Sequence, residues 1–228
     1  MYFSRIRRPI EYALSQMNQK LQSGNINDEH KFIWDLFPHD KEATRDFLYR
    51  RFDTEGFQQF FVLSERRPLE RLDAWEIEIK PYEPKIEIGR RLHFSLRANP
   101  VVTKMPEGTT SKKRKREDVF MDALARNREL PETERASRQD VLNESASSWL
   151  VGRAEPNGFS VSRDSVLVEG YQRFEIHKRK DSNKIQMGVV DYSGILTVTN
   201  TGLFYKTLNQ GLGKSRAFGC GLLMIKKV

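Results

Sequence analysis

The chain has 228 residues, enough for one large domain or two of about 100 residues each. Its 39 Lys and Arg against 31 Asp and Glu leave a formal charge of +8, while 38% hydrophobic content and 14 Phe allow a buried core beneath a heavily charged surface. A single cysteine, Cys220, excludes an internal disulfide and any thiolate-rich metal site, and no stretch is apolar enough to form a signal peptide or membrane span. These features describe a soluble protein of a reducing compartment, the cytoplasm, whose surplus cations favour a polyanion and nucleic acid first.

In chain order, Tyr2 to Ile6 reads as a short strand, and the polar stretch from Asn18 to Asp28 reads as a loop. Phe32, Ile33, Leu36 and Phe37 share one helical face, with Asp28 as N-cap and Pro38 as the stop. Phe47 to Phe52 and Phe57 to Leu63 are strand-like runs flanking a hairpin turn at Asp53, Thr54, Glu55 and Gly56. Leu69 and Leu72 suggest a short helix, and Trp75 to Lys80 alternates as a strand. This order, β-α-β-β-α-β, is the ferredoxin-like unit. After a short linker at Pro81 to Pro84 the pattern starts again. Ile86 to Ile88 and Leu92 to Ala98 form a long or bulged strand, followed by a polar insertion from Met105 to Asp118. A helix is expected over about 133–153, strands over 159–176 (broken at Gly170) and 185–198, a helix over 201–208 and a last strand over 218–228. The fold class is therefore α+β: two tandem ferredoxin-like βαββαβ domains, residues 1–82 and 83–228.

Four histidines are present. His30 and His39 lie nine residues apart, so a helix would point them in opposite directions, and no His-Glu-x-x-His pair or compact carboxylate cluster suggests a metal. His30 falls in the first turn of the first helix, off its apolar face. Its ordinary pKa of about 6.5 suits proton transfer, but position alone does not separate that role from a structural one.

The strongest local signal is Gly211 to Gly221, which holds Lys214, Ser215 and Arg216 among four glycines. Gly213-Lys214-Ser215 imitates a nucleotide P-loop, but Leu208 stands where that motif needs a glycine. The loop also runs from helix to strand rather than strand to helix, so no nucleotide cofactor is expected. Two readings remain: a backbone that approaches phosphates closely, or a flexible loop before an edge strand. Lys112, Lys113, Arg114, Lys115 and Arg116 form an unbroken basic run, suited to phosphate, to nuclear import, or to plain solvation. No Ser, Cys or Thr nucleophile has a recognisable partner.

Together these segments resemble the CasE-type CRISPR endoribonucleases, the crRNA-processing subunits of type I-E Cascade in the RAMP superfamily. The resemblance runs along nearly the whole chain. It is carried by Met1-Tyr2-Phe3-Ser4, by His30 to Pro38 (His-x-x-Leu-Trp-x-Leu-Phe-Pro in the family), by Ala43 to Tyr49, by Leu96 to Pro100, and by Gly211 to Leu223. It implies two domains similar to the RNA-recognition fold. It also implies cleavage of precursor CRISPR RNA beside a repeat stem-loop, without metal or other cofactor, and retention on the hairpin among other Cascade subunits. His30 falls on the family's catalytic histidine. Some relatives carry a tyrosine three residues before it; this chain has Asn27 there, which leaves a second proton-transfer group unassigned. The resemblance also implies a basic segment of the second domain that holds the repeat stem, for which residues 112–116 are the candidate; Lys214, Ser215 and Arg216 are read as contacts to phosphate or RNA. The chemistry asks little of the protein: the RNA's 2′-hydroxyl is the nucleophile, so alignment, one proton-transfer group and positive charge suffice. A non-catalytic RNA-binding subunit on the same scaffold is the nearest rival reading, and a basic nuclear protein a more distant one.

Overall fold

The structure, a computed structural model, describes residues 1–8, 26–40, 42–54, 57–72, 75–104, 115–177 and 184–228. The first sheet is built from β1 (Tyr2–Arg7), β2 (Phe47–Thr54), β3 (Phe57–Ser64), β4 (Arg71–Leu72) and β5 (Trp75–Pro81), in the order β2-β3-β1-β5-β4 with antiparallel neighbours. Apart from the short β4, this is the strand order of a ferredoxin-like unit. Helix α1 (Ile26–Asp35) covers one face. Ile33 and the following Leu36 and Phe37 bury against Ile6, Phe47, Tyr49, Phe60, Val62 and Trp75. Strand alternation sends Phe47 and Tyr49 to this side, while Leu48 turns to the opposite face. A buried ion pair between Glu29 and Arg51, 2.8 Å, ties α1 to β2.

The second sheet repeats the plan in the order β10-β11-β6-β12, using β6 (Arg91–Ala98), β10 (Val166–His177), β11 (Lys184–Val198) and β12 (Leu223–Lys227). The two-residue β9 (Phe159–Ser160) adds to β11. Helices α2 (Val119–Glu129), α3 (Arg138–Ala154) and α4 (Thr201–Gln210) start at side-chain caps Asp118, Ser137 and Asn200. Each such cap contributes about 1 kcal/mol. Phe120, Leu150, Tyr192, Leu196 and Phe204 are fully buried in the core between these helices and the sheet. A ribbon of β7 (Val101–Lys104) and β8 (Lys115–Asp118) projects from the end of β6.

The two sheets meet along a seam. Leu48 and Leu63 pack on Leu222, and Ile26 packs on Met187, Val189 and Cys220. Burial pushes the Cys220 thiol up to about 12, so it is a packing group and no nucleophile. At the centre of the seam, Arg50 of β2 reaches Asp191 of β11 at 3.1 Å and Ser95 of β6 at 2.7 Å. Asp191 also takes the cross-strand guanidinium of Arg97 at 2.7 Å.

Several expectations need correction. Leu69 and Leu72 form no helix: Leu72 pairs with Trp75 in the β4–β5 hairpin, and Leu69 is exposed behind Pro68. Two apolar residues three apart do not specify a helix when a strand edge lies within reach. Ile86 to Ile88 lies outside any strand, because Gly89, at φ 78°, turns the chain into β6 and leaves Ile88 71% exposed. Helix α1 already includes Ile26, so Asp28 lies in its first turn instead of capping it. The polar insertion ends in β8, and α2 follows where no helix was expected; Phe120 and Leu124 are its inward i, i+4 pair. The last strand starts at Leu223, since Arg216–Phe218 forms a 3₁₀ turn. The strand expected over 159–176 is interrupted at 161–165, by the 3₁₀ turn Arg163–Ser165, and not at Gly170, which at φ 124° is an irregularity within β10. Residues 18–25 of the expected first loop lie outside the described residues.

Candidate active site

Helix α1 turns its apolar residues inward and leaves His30 on its flank, facing the glycine loop of the second unit. The imidazole is half-buried between the rings of Phe47, 6.2 Å away, and Phe218, 6.3 Å away. Trp34, one helical turn on, donates its indole N–H to His30 Nε2 at 3.1 Å. An Nε2 that accepts a hydrogen bond carries no proton, so the neutral ring holds its proton on Nδ1. Nδ1 is buried with no partner in full hydrogen-bond geometry. Burial lowers the pKa of His30, the charge of Arg45 lowers it further, and the Ala217 carbonyl opposes both. The net shift is downward, so the ring is neutral at pH 7.

The glycine loop reaches this position because it is stitched at its root. Gly211, at φ 78°, ends α4 with its N–H on Thr207 O; Leu212 N–H binds Gly221 O at 2.9 Å, and Gly221 N–H binds Arg97 O at 2.7 Å. Gly219 lies flat on Tyr49, where an added Cβ would stand 3.3 Å from the ring. The Tyr49 hydroxyl donates to Ala217 O at 3.3 Å. Ser215 is the one non-glycine residue with positive φ among the described residues, at 58°, and it starts the turn that aims Arg216.

Arg216 is half-buried and donates Nε–H to Gly213 O. Burial lowers its pKa. Arg45, on the segment leading into β2, donates to Phe47 O at 2.6 Å; burial first, then the charge of Arg216, lower its pKa. Guanidinium groups stay charged in proteins, so Arg45 and Arg216 place two partly buried positive charges side by side, with Asp46 offsetting only part of the repulsion felt by Arg45. Such a pocket favours an anion.

The structure thus brings His30, Ser215 and Arg216 into one neighbourhood. Lys214 is exposed at its margin and pairs with Asn99 at the end of β6. The basic ribbon starts from that same point, two residues later. Of the basic run, Arg116 is exposed on β8 opposite Thr103, and the backbone of Lys115 pairs with Lys104. Lys112, Lys113 and Arg114 lie outside the described residues. Sequence reasoning assigned no role to Arg45, Tyr49 or Trp34. The signals were present: Arg45 and Tyr49 fall within a segment that carries the family resemblance, and Trp34 is spaced i, i+4 from His30. Among the described residues no cluster of three His, Cys, Asp or Glu side chains is placed to hold a cation, and no helix is long and apolar enough to cross a membrane.

A family model for CRISPR-associated protein matches residues 1–227. The CRISPR system Cascade subunit CasE of Escherichia coli is 28% identical over 206 residues, covering 89% of this chain and 92% of that protein. The CRISPR-associated endoribonuclease Cse3 of Thermus thermophilus is 27% identical over 156 residues, 64% of this chain and 60% of that one. A solved structure of the CRISPR endoribonuclease Cse3 bound to a 19-nucleotide RNA superposes with a TM-score of 0.72 at 21% identity, covering 99% of this chain and all of that one, and it shares the fold. With the model spanning all but the last residue and the first of these relatives aligned along most of its length, this chain belongs to the CRISPR-associated protein family, in its CasE type.

Proposed function

We propose that the protein is a metal-independent endoribonuclease that binds the stem-loop of CRISPR repeats and cleaves precursor CRISPR RNA to mature crRNA, remaining on the hairpin as a Cascade subunit in the cytoplasm. The observation that carries this reading is a neutral, half-buried imidazole beside the Arg45 guanidinium, with the partly buried Arg216 next to Arg45. The names of the relatives, a Cascade subunit and an endoribonuclease, and the RNA bound to Cse3 support it.

His30 takes the proton of the ribose 2′-hydroxyl as that oxygen attacks its own 3′-phosphate. The bond from phosphorus to the 5′-oxygen breaks, that oxygen takes a proton from water, and the product is a 2′,3′-cyclic phosphate. Arg45 and Arg216 face the negative charge that grows on the phosphorane, where preorganised cations act most strongly. Ser215 and Lys214 extend the phosphate track toward the β7–β8 ribbon, whose residues 112–116 hold the stem. An unbroken A-form major groove is too narrow for side chains, so these cations contact backbone or a stem end.

The test is a purified protein incubated with a synthetic repeat hairpin, with and without a 2′-deoxy substitution at the cut site. Cleavage that persists in EDTA and stops with the 2′-deoxy hairpin is expected; cleavage of the 2′-deoxy hairpin, or its loss in EDTA, overturns the mechanism. Tight binding with no cleavage of either hairpin selects the non-catalytic RNA-binding reading, favoured by Asn27 and by the Trp34 N–H on His30 Nε2.

The cation pair carries its own expectation. Arg216→Ala slows cleavage by about 10²-fold, the usual loss for one charge-stabilising donor. It also makes the dependence of log affinity on log salt shallower by about 0.7, one single-strand phosphate contact. An unchanged salt slope and an unchanged rate would return the loop to a purely structural part.

A further inference from the structure

Trp34 has no step in this scheme, yet its indole N–H is the group hydrogen-bonded to the His30 ring. The indole is also clamped. It meets Phe47 edge-on at 5.2 Å, and the Arg66 guanidinium lies 5.7 Å from its ring and 4.9 Å from that of Phe37. Arg66 in turn is held bidentately by Asp46, at 2.7 and 2.8 Å. Burial pulls the Asp46 carboxyl up, but the hydrogen bonds and charge of Arg66 outweigh it and leave the group below the ordinary range. Asp46 therefore stays ionised at neutral pH and keeps Arg66 in place. The run Asp46, Arg66, Trp34, His30 draws on three parts of the chain: the approach to β2, the exit from β3, and α1.

This run creates a conflict for a base. An unprotonated imidazole nitrogen has one in-plane lone pair, and Trp34 occupies the one on Nε2 with a group that can only donate. Nδ1 carries the proton and is buried. Neither nitrogen of the free protein is open to a ribose hydroxyl.

We infer that Trp34 is a positioning residue: its N–H holds free His30 as the Nδ1–H tautomer with Nε2 directed at the site, and the RNA 2′-hydroxyl replaces the indole N–H on Nε2. This rests on His30 acting as the base. The exchange trades one neutral donor for another on the same lone pair, so the hydroxyl meets an acceptor already in the correct tautomer and orientation. The other groups facing the ring are Arg45 from the approach to β2 and the Ala217 carbonyl from the glycine loop, with the Tyr49 hydroxyl of β2 on that carbonyl; Arg216 stands beside Arg45. Glu29, next to His30 in sequence, is engaged by Arg51. An indole N–H on the lone pair stabilises the neutral ring, in the same direction as burial and the charge of Arg45.

The test is Trp34→Phe, which keeps a ring against Phe47 and Arg66 and removes the donor. In the free variant, NMR titration of His30 is expected to move to higher pH, and its ¹⁵N shifts to change from one tautomer to a mixture. The acidic limb of kcat/KM, which reports the free enzyme, moves the same way. At neutral pH kcat/KM falls by about two- to tenfold, while kcat at saturating RNA falls less, because the indole has already been displaced there. An unchanged titration and tautomer, with kcat and kcat/KM falling equally, would make Trp34 a packing group and overturn the inference. A second measurement needs no variant: ¹⁵N shifts of His30 in the parent protein must show Nδ1–H, and Nε2–H overturns the inference. Failure of the base assignment is read separately, as undiminished cleavage by His30→Ala.

Discussion

Replacing His30 by alanine slows cleavage of a repeat hairpin by about 10²–10⁴-fold, the usual worth of one general base, and leaves hairpin affinity within about twofold. The separation of rate from binding follows from the charges. The imidazole is neutral, so its removal takes no positive potential from the pocket; Arg45 and Arg216 remain. The pH profile of the parent enzyme carries the same signature. Because burial and Arg45 hold the His30 pKa below its ordinary value of about 6.5, the base stays available below that pH, and kcat/KM falls only as the pH drops through the lowered value. The sign is the same for stability: the neutral ring's contribution is complete above the unfolded pKa and is lost as the pH falls through the folded one. Loss of affinity with an unchanged rate at saturation would remove His30 from the chemistry, as would an acidic limb above the ordinary histidine range.

Asp191→Ala produces the largest loss of stability, about 3–5 kcal/mol, the usual result of removing one partner from a buried ion pair. Its carboxylate is shared by two guanidiniums, and all three side chains are largely enclosed: 6% exposed for Arg50, 19% for Asp191 and 23% for Arg97. Without it, two like charges from different sheets face each other with little water to screen them. Native stability totals about 5–15 kcal/mol, so a large fraction is lost, and the midpoint of thermal unfolding drops by about 6–20 °C. A drop of only about 2–4 °C, equivalent to about 1 kcal/mol, would show that solvent reaches the three groups and that the seam rests on its apolar contacts.

Most of the strand order was legible because both units alternate apolar and polar residues on strands bounded by glycine, proline or charge. His30 and the glycine loop stood out as residue types in odd places: an imidazole off the apolar face, and a cation-bearing loop running from helix to strand. What escaped has definite causes. Helix α2 directly follows a stretch with eight charged residues in fourteen, 105–118, and its apolar signal is one i, i+4 pair, Phe120 and Leu124. The Leu69–Leu72 segment was misread because a two-residue edge strand has no period at all. Arg45 and Tyr49 lie in a segment that carries the resemblance, but their part in the site stayed unassigned because their neighbours, Arg216 and Ala217, lie more than 160 positions away and only the docking of the two sheets brings them together. Trp34 was read as part of a motif, and its bond to His30 depends on a rotamer that no spacing specifies.

The glycine loop leans on α1 and β2 from the other sheet, so the site is assembled from residues on either side of the seam. This has a consequence for the order of events at the ribosome. His30 emerges early, but Arg216 follows it by 186 residues, and Gly219, which seats the loop on Tyr49, comes later still. A nascent chain therefore carries an imidazole with no cation pair around it for most of its synthesis. Under the proposed mechanism it has no power to cut the ribosome's own RNA or the message being read, and nuclease activity begins only when the second sheet closes.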